Sequence, residues 1–221
     1  MSDLKPLSST RLWLLLAAAF GTFSVGAGFM HAYTVFLVTF IEAFGWSRAE
    51  VSLAYSVSQI VTGISSPLVG WLVDRLGPPR LVLMGGVLLT IGLVANSYAT
   101  ELWHIVVLYG VVMTLGANCL GLVVFVPLLS KYFVRNRGMA VSVVQSANGF
   151  ARAFSAPATT MMISGLGWRG AYLWQGAFMT VLILPLAALF RGTGPTRTSR
   201  AHQQTDTEGW TVQQAMRTPH F

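Results

Sequence analysis

Six runs of mostly apolar residues divide the chain, at about 12–40, 49–73, 81–98, 102–129, 138–165 and 171–190. A helix needs about 20 such residues to cross the hydrocarbon of a bilayer. No soluble core accounts for them. Hydrophobic residues make up 54% of the chain and charged residues only 10%, where a soluble domain carries about a quarter charged. The runs are therefore expected to be membrane spans. Inside a bilayer no water satisfies peptide groups, so each lone span must bond its own backbone and be helical. The expected fold class is all-α integral membrane, with six transmembrane helices over 12–190. A short amino-terminal segment, 1–11, precedes them, and a polar segment, 191–221, follows.

Lysine and arginine orient the spans. Lys5, Arg11, Arg75, Arg80, Lys131, Arg135, Arg137, Arg191, Arg197, Arg200 and Arg217 all flank one side. Only Arg48 and Arg169 fall opposite, and Arg152 lies inside a span. The positive-inside rule then puts both termini in the cytoplasm of a cell membrane crossed several times. The net charge of +7 reflects this bias. No basic face clusters on a soluble module, so nucleic acid is not an expected partner; the lipid bilayer is. Trp13, Trp46, Trp71, Trp103 and Trp168 fall at expected water–lipid boundaries, as an aromatic belt requires. Cys119 is the single cysteine and permits no internal disulfide. The first run is too long for a signal peptide and lacks a small-residue cleavage site, so it is expected to be retained. No metal or cofactor is expected.

A helix beside a wet cavity carries polar residues at i, i+3, i+4 and i+7. The second span offers Ser52, Ser56, Gln59, Gly63, Ser66 and Gly70. The fifth offers Gln145, Asn148, Arg152, Ser155 and Thr159. Ser24, Gly28 and His31 stand in the first, and Thr114, Asn118 and Gly121 in the fourth. The third and sixth show only isolated residues near their ends, such as Asn96 and Gln175. Spans one, two, four and five are thus expected to line a cavity, with three and six supporting them. The alternative for the Ser/Gly stripes is close helix–helix packing, as for Ala147 and Ala151.

Arg152 stands apart. It lies about 21 Å into its span at 1.5 Å per residue, too deep for easy snorkelling, at a cost of at least ~2.5 kcal/mol on insertion scales. No acid lies deep in any run to pair with it. A guanidinium facing a wet cavity suits an anionic substrate, held bidentately if that is a carboxylate. The alternative is a structural arginine satisfied by carbonyls. Gln145, Asn148 and Asn118 are candidate neutral partners for the substrate's other oxygens. His31 is either a packing residue, a substrate contact or a proton carrier.

Between the second and third runs, Gly70-Trp71-Leu72-Val73-Asp74-Arg75-Leu76-Gly77-Pro78-Pro79-Arg80 is more specified than a turn needs. It resembles the second-to-third loop of major facilitator superfamily transporters, roughly G-x-L-x-D-R-x-G-x-R, through Gly70, Leu72, Asp74, Arg75, Gly77 and Arg80. Lys131-Tyr132-Phe133-Val134-Arg135-Asn136-Arg137-Gly138 is similar to the matching segment of the monocarboxylate and oxalate/formate branch. So are Gly167-Trp168-Arg169-Gly170-Ala171-Tyr172 and Phe44-Gly45-Trp46-Ser47-Arg48. The likeness runs over about 20–190. It implies two inverted three-helix repeats forming the amino-terminal half of a twelve-helix carrier, with faint similarity between the triplets. It implies alternating access, with Gly70, Asp74, Arg75, Gly77 and Arg80 as a latch. It implies a partner too: a missing carboxy-terminal half, or a second copy. Many proton-coupled and drug-exporting members carry an arginine in the fourth helix, where Val112 stands here. That departure, and a lone Pro157, favour an organic-anion carrier with a small carboxylate substrate. Residues 192–208 read as a linker, and Thr211-Val212-Gln213-Gln214 has capping-box spacing for a short helix.

Two other classes remain open. One is a self-contained six-helix channel or assembly subunit. The other is an intramembrane hydrolase, which needs a serine beside a histidine base; His31 is the only histidine deep in a span, and no G-x-S-x-G is present. An enzyme is not expected.

Overall fold

The structure, a computed structural model, describes residues 9–133 and 136–190. Lys5, Arg135, the expected linker and the expected helix at Thr211 lie outside these. No strand occurs among the described residues. The chain forms α1 (Ser9–Phe44), α2 (Arg48–Leu76) and α3 (Pro78–Asn96). A broken fourth rod follows: α4 (Leu102–Val107), a π-helical stretch (Leu108–Met113), α5 (Thr114–Cys119) and α6 (Leu122–Tyr132). The last rod is α7 (Arg137–Leu189).

Five rods are long and apolar enough to cross a membrane, where the sequence predicts six crossings. The difference lies in α7, whose 53 residues would stretch about 80 Å if straight. They do not run straight. The backbone leaves the helix at Gly167, with φ 70° and ψ 168°. Beyond it, Gln175 Nε2 donates to Thr159 Oγ1 at 3.3 Å. In one continuous helix those residues would stand about 24 Å apart. The two arms, 137–166 and 168–189, therefore lie side by side as a hairpin and supply the fifth and sixth crossings.

The turn from α2 to α3 is built the same way. Only Gly77 separates the two helices, with φ 79° and ψ 160°, and its N–H donates to the Val73 carbonyl at 2.9 Å. That backbone region is open essentially to glycine alone. The two reversals belong to a repeat. Pro67, Leu76, Gly77 and Gly86 are answered, at one constant spacing, by Pro157, Leu166, Gly167 and Gly176.

Packing obeys the same relation. A Cβ on Gly86 would run into Ile183, and one on Gly176 into Val94 at 2.8 Å, with Leu93 at an ordinary contact distance of 3.6 Å. Leu93 and Ile183 keep the same spacing. The third and sixth spans thus meet through a symmetric glycine pair. α1 meets the second arm where Phe36 stacks on Tyr172 at 3.9 Å. α3 meets α5 where Gly85 and Gly116 bring backbone onto backbone. These contacts interlock two inverted three-helix units, a plan shared by many carriers.

Side chains close the remaining joints. Tyr33 and Tyr109 stack at 3.8 Å in the core, and their hydroxyls donate to the carbonyls of Val51 and Met30. Each phenol thereby keeps a partner where no water reaches. Ser47 caps α2: its Oγ accepts from the Glu50 N–H, and the Glu50 carboxylate accepts from the Ser47 N–H at 2.8 Å. Where the π-helical stretch passes into α5, Thr114 Oγ1 donates to the Tyr109 carbonyl at 2.9 Å, five residues back.

Gly85 and Gly116 admit no side chain without a backbone clash, whereas a Cβ at Gly63 meets nothing within 4 Å. Gly85→Ala and Gly116→Ala are expected to destabilise the purified protein by about 1–3 kcal/mol. Gly63→Ala is expected to stay within about 0.5 kcal/mol of the parent. Thermal shifts in detergent measure this, and three equal midpoints would refute the close α3–α5 packing.

Candidate functional site

The first arm of α7 carries the polar stripe, and α1 crosses it at mid-height. Ala147 and Ala151 are buried on this arm, which lets the two helices approach. Arg152 lies one position beyond Ala151 and stays exposed. Its Nε donates to His31 Nε2 on α1 at 3.2 Å. Asn148, one turn away, sits 2.7 Å from the same ring nitrogen. His31 and Asn148 are both half-buried. Three of the expected site residues thus come together.

The ring nitrogen faces two partners of opposite demand: Arg152 Nε, which can only donate, and Asn148 Oδ1, which can only accept. Which of the two it pairs with follows from the tautomer of His31 and the orientation of the Asn148 amide.

Arg152 keeps capacity for a ligand. Among the described residues, its only hydrogen bond runs through Nε. The acids among them, Glu42, Glu50, Asp74 and Glu101, stand at or beside helix ends. The terminal nitrogens form a planar fork matched to a carboxylate.

The other expected residues stand elsewhere. Asn118, on α5, turns its amide to α2, reaching Ser65 Oγ at 2.8 Å, Ser66 Oγ at 3.2 Å and the Thr62 carbonyl at 3.4 Å. It binds α5 to α2 beside the break before α6. Gln145 is exposed, one turn from Asn148. Gly70, Asp74, Arg75, Gly77 and Arg80 gather at the Gly77 end of the bundle, away from the His31–Arg152 contact. Asp74 and Arg75 close α2, and the Arg75 guanidinium lies 4.0 Å over the Trp71 ring. Arg80 is exposed in the first turn of α3. A Cβ on Gly70 would make only ordinary contact with Val123, so packing among the described residues does not demand that glycine.

A cavity of about 400 Å³ opens between α1 and the two arms of α7. Ser24, Gly28, Ser155, Trp174, Gln175 and Phe178 help to line it. Gln175 reads in the sequence as an isolated end-of-span residue. It is instead 4% exposed and packed against the first arm. Its spacing across Gly167 from Thr159 was the available signal.

The family profile described as Major Facilitator Superfamily matches residues 18–220. Over 182 residues the chain is 32% identical to Monocarboxylate transporter 11 of Mus musculus, covering 81% of this chain and 40% of that protein. It is 30% identical to Monocarboxylate transporter 7 of Homo sapiens over 164 residues, 74% of this chain and 31% of the relative. A bacterial relative, Uncharacterized MFS-type transporter YcxA of Bacillus subtilis, is 25% identical over 175 residues, 79% of this chain and 43% of its own. The chain spans about two-fifths of the length of such relatives. The six crossings, the inverted packing and the profile match agree: the chain belongs to the major facilitator superfamily of multi-pass membrane transporters, not enzymes.

Proposed function

We propose that residues 12–190 form the amino-terminal six-helix half of a secondary carrier of small carboxylates, with Arg152 as the anion anchor. The observation that carries this reading is the Arg152 guanidinium, 3.2 Å through Nε from His31 Nε2, with its terminal nitrogens unengaged among the described residues. The names of the relatives support the substrate class. The acids among the described residues stand at or beside helix ends, so the charge stays available to a ligand. Asn148 contributes a neutral polar contact at one side, and Gln145 extends it toward the Gly77 end. A second six-helix half, or a second copy, completes the cavity, and the two halves rock about the site in alternating access.

In this reading both termini lie in the cytoplasm, and the Gly77 end is the cytoplasmic one. Residues 1–11 and 191–221 are then cytoplasmic segments, the latter leading into the second half. Asp74 in the last turn of α2 and Arg80 in the first turn of α3 latch that end against the partner half. Asn118 works as the brace between α5 and α2 that keeps the far wall of the cavity rigid.

Arg152→Ala in the complete carrier is expected to cut carboxylate uptake at least about tenfold, the size of a charged hydrogen bond. Arg152→Lys should recover part of it, because the charge remains but the fork is lost. Uptake into proteoliposomes at matched protein content is the measurement; wild-type rates in Arg152→Ala would remove the anchor. His31→Leu is expected to raise KM about three- to tenfold, by releasing the guanidinium, with kcat changed less. Asp74→Asn should lower the transport rate with little effect on KM. Substrate titrations on the two variants separate these roles, and a KM effect at Asp74 would argue against a latch.

A further inference from the structure

Two grooves flank the contact between α1 and the first arm of α7. Ala147 and Ala151 are buried on this arm, where α1 crosses it. At about 100° per residue, Arg152 lies on one flank of Ala151, and Phe150 and Phe154 lie on the other. Arg152 and His31 occupy the first groove. The second is the cavity between α1 and the two arms, and neither Arg152, His31 nor Asn148 is among its lining residues. Exposed Phe150, Phe154, Trp174 and Phe178 frame its mouth. The mouth therefore faces away from the arginine, on the side of the sixth span.

The wall selects by polarity. Val25, Phe29 and Met162 help to form it. Ser24 Oγ, Ser155 Oγ and Gln175 Oε1 are occluded, and the accessible wall is almost wholly apolar. A water molecule needs several polar partners, so the cavity does not hold water well. No ionisable side chain lines it, so a carboxylate would be stranded there. Shape selects as well. The lining residues run from Ser24 to Ala32 on α1 and from Phe150 to Met162 on α7, about 12 and 18 Å along the spans. The cavity is thus elongated along the helices that cross the hydrocarbon. About 400 Å³ spread over about 18 Å gives a section of about 22 Å², the width of a single extended hydrocarbon chain. A Cβ on Gly28, in the wall, meets nothing within 4 Å, so the space is open on the α1 side.

We propose that this cavity holds an acyl chain of a membrane lipid, entering sideways from the bilayer. The mouth lies within the spans, where acyl chains are the surrounding solvent. An unfilled apolar groove forfeits dispersion contacts along its whole lining, and a chain laid parallel to the helices restores them. A second six-helix half that closes over Arg152 stands on the other flank of the first arm and leaves this mouth to the lipid. The lipid's head group stays at the water interface, so the chain alone is recognised. The ligand is thus of a different class from the proposed anionic substrate, and the proposal does not rest on Arg152.

The test is photolabelling of the complete, delipidated carrier in maltoside micelles. The probe is a phosphatidylcholine with a diazirine midway along an acyl chain, and mass spectrometry locates the label. Labelling of Val25, Phe29 and Met162 should saturate as the probe's share of the micelle rises. Labelling of Val181 and Leu184, exposed on the second arm, should rise in simple proportion, as for lipid that merely surrounds the protein. Unlabelled phosphatidylcholine should compete at the lining residues, and glycerophosphocholine, the head group without chains, should not. Gly28→Leu fills the open space and should cut lining labelling at least about tenfold, leaving Val181 and Leu184 unchanged. Ala158→Leu, also in the wall, should do the same and serves if Gly28→Leu does not fold. Arg152→Ala should change nothing. Lining labels that never saturate, or that persist in a folded filling variant, would overturn the proposal. So would labels confined to Val181 and Leu184, which would mean that the rest of the carrier covers the mouth. Competition by glycerophosphocholine would overturn it by assigning recognition to the head group, and loss of labelling in Arg152→Ala by joining the two grooves into one site.

Discussion

A chain reversal completed in one residue is the constraint on which this bundle depends. At Gly77 and Gly167 the backbone adopts a region closed to other residues. The next helix must then start at once, antiparallel to the last and in van der Waals contact with it. Because the reversal has no slack, the register of the following helix is set too. Gly86 reaches Ile183, and Gly176 reaches Leu93, because both hairpins are cut to the same length. Backbone hydrogen bonds do not choose between such arrangements, since every span satisfies its own. Small residues at the crossings do.

Within that frame the bundle divides its polar groups between bracing and function. Asn118 spends its amide on α2, and the Tyr33 and Tyr109 hydroxyls end on carbonyls. These are closed contacts. The His31–Arg152 contact is open: it fixes the position of a cation and leaves the charge unneutralised. The difference follows from chemistry. A carboxylate beside the guanidinium would cancel its charge, and a ring nitrogen at 3.2 Å does not. An arginine inside a span with an acid beside it would be a strut; with a histidine beside it, it is a candidate receptor for an anion.

Much of this was legible in the chain. The apolar runs fixed helix and membrane, because no other structure satisfies a backbone in hydrocarbon. Arg152 stood out because a mid-span charge is costly, and the Gly70–Arg80 turn carried the family. The fifth and sixth runs were legible as well, parted by Gly167, Trp168 and Arg169, although the reversal itself is one residue long and leaves only a glycine as its trace. His31 could not be assigned to Arg152, since the contact depends on how α1 crosses α7, 121 positions away. The π-helical stretch and the break before α6 left no periodic signal. The repeat is only faint in the sequence, and the structure shows where its trace lies: Pro67, Gly77 and Gly86 against Pro157, Gly167 and Gly176 share one spacing. Sparse glycines and prolines preserve it where the apolar residues between them drift, because only backbone-shaping positions are hard to exchange.

The single-residue turns also decide where the molecule can tolerate growth. An inserted loop at Gly77 or Gly167 would unseat an entire span from its neighbours. The connection from Asn96 to Leu102 is several residues long and joins one triplet to the next. That seam is where a tag, a cleavage site or a new chain terminus would disturb the bundle least. The two triplets are, in this sense, interlocking parts joined by a longer tie, each with a stiff elbow of its own.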